Sequence, residues 1–573
     1  MKKSSNLLSA VLLTVFLFTN SFAQPARTSQ VRPKTSDEAG TAKTAKSVTA
    51  QKIEQDVAEA LTLIEDNYVG GKKLDYNDVF KSSIDSMLHT LDPHSNYFDA
   101  KEYEAFRTEQ SSQYFGIGAT IGDLSGKDGK VIATYIKATF EDAPAHRAGL
   151  RYGDKIVDVN GTSMLGKNFT EVRTFLRGPR GTQAKITVER FGTGKRETFD
   201  IVRDAVSQPS ISDAYMIRPG VGYIGMTGGF HHTTYDEFRQ AMVELKAQGM
   251  QQLVIDLRDN GGGLVNQALR VSNAFLESGQ KILTQKGRIR GAESVAEAEN
   301  PSPDRTPIVV LVNRNTASAS EILAGALQDH DRALIVGEST FGKGLVQNPF
   351  PLEYGSMLLL TIAKYETPSG RLIQRDYSGG SLYDYYSDGG SLREETQTPK
   401  PKGAESRTAA GRIVYGGDGI NPDQTVKPQT ITADKARFRQ RFNDPIFAFT
   451  LDLAYGKNKA FENYKIDRPI SFEYDLKNTD FPITENLFQN FKKFAVEKYN
   501  FTAAQIDRER EYIERTLRTE LVIAAYGSTT SFQVFNEYDT QLKKAIELLP
   551  QAKQLALDGA KANALKSKAD INR

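Results

Sequence analysis

Between about residues 210 and 378, short apolar runs alternate with helical patterns, and no other feature restricts the fold as strongly. VGYIGM, QLVIDL, PIVVLV and ALIVG read as strands rich in β-branched residues. LVNQALRVSNAFLESG and SEILAGALQDH carry helical spacing. Strands joined through helices pair in parallel and are buried on both faces, so an α/β domain is predicted here.

The chain has 573 residues, too many for one core, so two to four domains are expected. Lys and Arg number 73 against 71 Asp and Glu; without Lys2 and Lys3 the two signs balance, which gives no pull towards nucleic acid or an anionic membrane. Those lysines precede the apolar run LLSAVLLTVFLF and then Ser21-Phe22-Ala23, the pattern of a secretory signal peptide cut after Ala23. An uncleaved anchor is the alternative. Gln24 follows the cut, not Cys, so no lipid anchor is expected. The expected location is the periplasm, at its membrane or beyond. The chain has no Cys, which removes disulfides, thiolate metal sites and a Cys nucleophile.

Other segments divide by pattern. Residues 24–47 are polar and small, a linker. Residues 48–111 read as an N-terminal helical region, with Val57, Leu61 and Ile64 on one face. Residues 112–204 contain KVIATYI, KIVDVNG and AKITVERF between turns, a β-rich module with one short helix, EVRTFL. Residues 205–430 hold the α/β core, with a Gly/Ser/Pro-rich flexible insertion at 379–412. Residues 431–573 are helical: Thr484 caps a helix bearing Leu487, Phe491 and Phe494, and the stripe Ile506, Ile513, Leu517, Leu521 stops at Gly527.

GESTFGKGLVQ, residues 337–347, matches the start of a phosphate loop: Gly337, Gly342, then Lys343. A phosphate loop continues with Ser or Thr and a helix. Here Gly344 follows, and LVQNPFPLEYG reads as strand and turn. On a strand, Lys343 and Gln347 share a face. A lysine walled by apolar groups loses its charge easily and can serve as a general base. Upstream, NRNTASASEILAGALQD places Ser318 and Ser320 at a helix entry, near unpaired amides that can stabilise an oxyanion. Ser318-x-x-Glu321 is also a capping box, which explains a serine there without chemistry. DLRDNGGGL ends a strand in consecutive glycines that can present amides to a ligand, or form a plain turn. His330, near the far end of the Ser318 helix, is remote from its start, and His231-His232 has no HExxH spacing.

Taken in order, FGIGATI, AGLRYGDKIVDVNG, LRGPRGT, GYIGM, DLRDNGGG, VNRNTASASEILAGALQD, GESTFGKGLVQ and TPSGRLIQ resemble the carboxyl-terminal processing proteases, the tail-specific serine peptidases of family S41 with a PDZ domain. The resemblance covers residues 50–378 and returns at GDGINPD after the insertion. It implies an α/β protease core of crotonase/ClpP-like fold, an inserted β-rich PDZ domain, and helical N- and C-terminal regions. It implies a Ser–Lys dyad in which the serine precedes the lysine by 25 residues, selecting Ser318 with Lys343 and leaving Ser320 structural. Gln347 matches the glutamine that orients the lysine. Ala319 and Gly262 amides are the implied oxyanion hole, with Gly263 as neighbour.

The PDZ resemblance further implies a carboxylate loop through Phe115, Gly116, Ile117 and Gly118, and an apolar pocket from Phe115, Ile117, Val172 and Phe175. Arg177 either links peptide binding to the active site or is a solvated turn residue. The implied substrates are proteins with apolar C-termini, and no metal, cofactor or nucleic acid is called for. The C-terminal helices could dock on the protease, join copies or hold an adaptor. A catalytically silent PDZ scaffold, the competing class, predicts loss of Ser318, Lys343 or Gln347; all three are present.

Overall fold

A computed structural model describes residues 49–69, 75–289, 291, 293–378, 385–386 and 403–571. The predicted signal peptide, the linker at 24–47 and most of the predicted insertion lie outside these. The chain divides into two compact units, residues 1–91 and 92–573. In the first, the described elements are the helices Ala50–Asn67 and Tyr76–His89, the second begun by Asp75, whose carboxylate accepts from the amides of Asn77 and Asp78.

The second unit is built on a six-stranded sheet in the order Asp213–Arg218, Val221–Gly225, Gln252–Asp256, Ile308–Val312, Ala333–Gly337, Gln424–Thr425. Only the first pair is antiparallel. The parallel strands are the apolar runs of the sequence, and each face of the sheet is covered. On one face the helices Thr234–Ala247, Val265–Asn273 and Ala319–Asp329 bury Phe238, Val271 and Leu323 against Ile255 and Val310. On the other, the final helix Thr540–Ile571 sets Leu542, Ala545, Leu549 and Ala552 on Val254, Val309, Leu311 and Val336. That helix is therefore a layer of the α/β core, although its sequence position groups it with the C-terminal helices.

A second sheet holds the strand Leu345–Pro351 against Met357–Glu366, which also pairs with Asn96–Phe98 and Lys281–Gly287. Asn96–Phe98 falls in the stretch expected to be wholly helical. Short strands beside a long one are easily missed, since three residues hold too little pattern. At the end of the insertion, Glu405–Arg407 pairs with Ile413–Tyr415, a hairpin that runs from the last insertion residues into the chain beyond them.

The β-rich module is a sheet in the order Ala119–Ser125, Val131–Thr139, Lys155–Val159, Gln183–Glu189, Arg196–Val202, with helix Phe169–Leu176 packed on it. Gln113–Gly116 and Asp204–Ser207 pair at its two ends as a stem. The helices Asn443–Ala454 and Arg510–Asn536 close on this module: Phe447 and Leu451 meet Tyr135 and Tyr152, and Lys137 pairs with Glu520 at 3.1 Å. At Gly527 the chain leaves helical geometry (φ 86°), where the sequence predicts a stop, and helix then resumes to Asn536.

If the final helix is part of the core, Leu549→Ala, at a fully buried position, should lower unfolding free energy in urea by about 3 kcal/mol. A loss below about 1 kcal/mol would mean the helix is peripheral.

Candidate active site

Ser318 lies at the junction of strand Ile308–Val312 and helix Ala319–Asp329, with φ 57° and ψ −117°. That backbone is sparsely populated for a residue with a side chain and persists only where its surroundings enforce it. The enforcing group is Glu321, fully buried one turn into the helix. Its Oε2 accepts from the amides of Ser318 at 2.8 Å and Lys343 at 2.9 Å; its Oε1 accepts from the Gly342 amide at 2.8 Å and the Thr340 hydroxyl at 2.5 Å. Burial raises the Glu321 pKa above the ordinary glutamate value, and the four donors oppose that rise. The sequence marks Glu321 as a helix cap; the structure makes it a clamp on two segments. Ser318 and Glu321 close the expected capping box, and the Glu321 amide also bonds the Ser318 carbonyl at 2.9 Å. Tyr365 adds a second tie, donating towards the carbonyls of both Ser318 and Lys343 at 3.1 Å.

Lys343 is partly buried just ahead of strand Leu345–Pro351. Loss of water around its ammonium pushes its pKa down to about 8, against the opposing charges of Asp92 and Glu321. Its Nζ donates to Gln347 Oε1 at 2.9 Å. The predicted same-face relation assumes a regular strand. The structure has a register shift between Val346 and Gln347 and a non-strand Lys343, yet the two side chains meet. A strand follows Lys343 instead of a helix, which removes the phosphate-loop reading. Among the described residues Ser318 Oγ and Lys343 Nζ form no hydrogen bond; their backbones are adjacent through Glu321.

The glycine loop approaches the same point. A Cβ on Gly262 (φ 95°) would lie 2.7 Å from Ser318 Cβ and 2.8 Å from the Ala319 nitrogen, so only glycine allows this contact. The amides of Ala319 and Gly263 have no hydrogen-bond acceptor among the described residues. The Gly262 amide donates to Asn260 Oδ1 at 2.9 Å, and Asn260 Nδ2 donates to the Met226 carbonyl. Of the expected oxyanion amides, Ala319 and Gly263 are therefore free here and Gly262 is engaged, because Asn260 folds back into its own turn. Ser320 is buried and donates to the Asn260 carbonyl at 3.0 Å, a structural bond. His330 closes the far end of the helix, its Nε2 2.7 Å from the Lys281 carbonyl.

In the β-rich module, Phe115 and Gly116 end the stem strand, and Gly118 (φ 73°) turns the chain where a Cβ would strike Ala143. Ile117 and Val172 are buried in the module's core. Phe115 and Phe175 remain half-buried, and Ala119–Ser125 is the sheet's edge strand. Arg177 is exposed, its guanidinium 5.3 Å from the Tyr114 ring centre.

Residues 220–384 match the model of peptidase family S41, and residues 136–190 match a PDZ domain. A carboxy-terminal-processing protease of Bartonella bacilliformis is 36% identical over 305 residues, 52% of this chain and 68% of that one. Carboxy-terminal processing protease CtpA of Bacillus subtilis is 35% identical over 53% of this chain and 63% of its own length. Among solved structures, a photosystem II D1 C-terminal processing protease is 26% identical, with 66% of this chain and 94% of that chain covered and a TM-score of 0.33. The chain belongs to the carboxy-terminal-processing proteases, serine peptidases of family S41 with a PDZ domain.

Glu321→Gln would turn one of the two accepting oxygens into a donor facing donors. Folding stability should fall by about 3 kcal/mol and proteolysis should drop with it, measured by thermal unfolding and peptide cleavage. A variant as stable as the parent would show that the clamp holds nothing.

Proposed function

We propose that this protein is a serine endopeptidase that engages protein C-termini through its PDZ domain and cleaves by a Ser318–Lys343 acyl-enzyme mechanism, with Gln347 orienting the lysine. The observation that carries the reading is the shared Glu321 carboxylate, which bonds the amides of both Ser318 and Lys343. A lysine with a pKa of about 8 supports it, since an ordinary lysine is almost wholly charged near neutrality and cannot accept a proton. The core is taken to be of the crotonase/ClpP-like kind, and the protein to act outside the cytoplasm, in the periplasm.

Neutral Lys343 takes the Ser318 hydroxyl proton as Oγ attacks the scissile carbonyl. The oxyanion is received by the Ala319 amide together with a glycine-loop amide: Gly263 as it stands, or Gly262 once Asn260 lets go. Lys343 returns the proton to the leaving amine; its Nζ then takes a proton from water as the water oxygen attacks the acyl-enzyme, and gives that proton to Ser318 Oγ as the ester bond breaks and the acid product leaves. The PDZ module holds the chain end as an added strand along Ala119–Ser125, with an apolar terminal side chain against Phe115 and Phe175, and so raises the local concentration of the chain to be cut.

The test is incubation with an unfolded protein bearing either an apolar or a charged C-terminus, with fragment masses as readout. Cleavage of the apolar form, lost in Ser318→Ala and Lys343→Ala, is expected; cleavage surviving either change contradicts the dyad. The charged groups facing Lys343 are Asp92 and Glu321, with His94 and Arg375 close by. Because the neutral amine is the active form, kcat/KM should rise with pH through about 8 and level above it. A profile that falls across this range would show that the charged lysine is required instead.

A further inference from the structure

Gln347 is useful to Lys343 only in one orientation, because its amide has an accepting end and a donating end. With Oε1 towards Lys343 Nζ, its Nε2 donates to the main-chain carbonyl of His94. Turned over, the amide would set its NH₂ against the amine and its oxygen against that carbonyl, donor on donor and acceptor on acceptor. The His94 carbonyl therefore decides which way Gln347 points, and what fixes that carbonyl also acts on the lysine.

The carbonyl belongs to a tight turn, Asp92-Pro93-His94-Ser95, fastened by one side chain. Asp92 Oδ1 accepts from the amides of His94 and Ser95, both at 2.8 Å, and Oδ2 accepts from the Ser95 hydroxyl at 2.6 Å. The Thr361 amide donates to Ser95 Oγ at 3.1 Å, which ties the turn to the strand paired with Leu345–Pro351. The His94 ring is buried, with its Nε2 2.9 Å from the Tyr385 hydroxyl and Phe341 edge-on to it. Burial and the nearby Lys343 and Arg375 charges hold the ring's pKa well below the ordinary histidine value, so it adds no charge of its own. Asp92 also faces Lys343 as an opposite charge.

We propose that the Asp92–Ser95 turn is a positioning element of the base: it fixes the amide of Gln347, and Gln347 fixes the lone pair of Lys343. The inference rests on the reading of Lys343 as a base oriented by Gln347. It makes the turn at the start of the larger unit part of the catalytic apparatus without touching substrate.

The test is a double-mutant cycle on the full chain, following first-turnover release of p-nitrophenolate from p-nitrophenyl acetate. Rates are read at about pH 9.5, where the amine is neutral and the Asp92 charge no longer matters. Ser318→Ala gives the background, and thermal unfolding checks each variant. Asp92→Ala should slow acylation about 10- to 100-fold, the scale of a misplaced catalytic group. Asp92→Asn, whose side-chain oxygen still accepts from the His94 and Ser95 amides, should recover most of that loss. In the Gln347→Ala background, adding Asp92→Ala should cost less than about twofold, because the route to the lysine is already gone. Equal losses in both backgrounds, or an Asn variant as slow as the Ala one, overturn the proposal while leaving the dyad standing. A Gln347→Ala enzyme as fast as the parent removes the glutamine from the reading of the site and the turn with it. Should Asp92→Ala fail to fold, Ser95→Ala, which cuts the ties to Asp92 Oδ2 and Thr361, runs the same cycle with the same expected non-additivity.

Discussion

The site depends on one buried carboxylate. Glu321 is fully enclosed, and each of its oxygens accepts twice, from backbone at Ser318, Gly342 and Lys343 and from the Thr340 hydroxyl. An enclosed carboxylate is costly unless its lone pairs are met, so these donors must stay together for the fold to hold. The consequence is geometric: a helix N-terminus and a loop 22 residues downstream cannot drift apart. The left-handed backbone of Ser318 follows from the same constraint, since one amide is held by the carboxylate while the helix begins at once.

Other elements converge on that point from separate parts of the chain. The parallel sheet delivers the glycine loop and the Ser318 helix from the ends of adjacent strands, Gln252–Asp256 and Ile308–Val312. The second sheet delivers Gln347 and, through Asn96–Phe98, the turn that faces it. The final helix covers the far face of the parallel sheet, and Arg258, two residues before Asn260, is held by Asp256 and Asp539 at 2.6 Å. The glycine loop is thereby anchored to the C-terminal part of the chain. Of the other C-terminal helices, Asn443–Ala454 and Arg510–Asn536 pack on the PDZ module through Phe447, Leu451 and Glu520.

Much of this was legible in the residues because the physics was local. The parallel strands announced themselves as unbroken apolar runs, since both faces are covered. Lys343 and Gln347 pointed to each other by spacing, although a bulge rather than a regular strand brings them together. Contacts between distant segments were not legible. Glu321 stood out only as a cap, because its bonds to Gly342 and Lys343 cross 21 and 22 residues. Asp92-Pro-His-Ser carries turn chemistry, but nothing in its sequence says that the carbonyl inside the turn faces Gln347. The burial of Ile117 and Val172 in the module's core is not written in the residues either, because an apolar side chain reads the same whether it lines a groove or fills the core beneath. Likewise, a glycine run shows where amides can approach, not that Asn260 accepts from the Gly262 amide.

The account is tested most directly by the crystal structure of the enzyme with a peptide boronic acid bonded to Ser318 Oγ. It requires Lys343 Nζ within about 3.2 Å of that oxygen, Gln347 still on Nζ, and Glu321 still accepting from both the Ser318 and Lys343 amides. A structure with the boronate in place but Nζ turned away, and another group at hydrogen-bonding distance from Oγ, would contradict it.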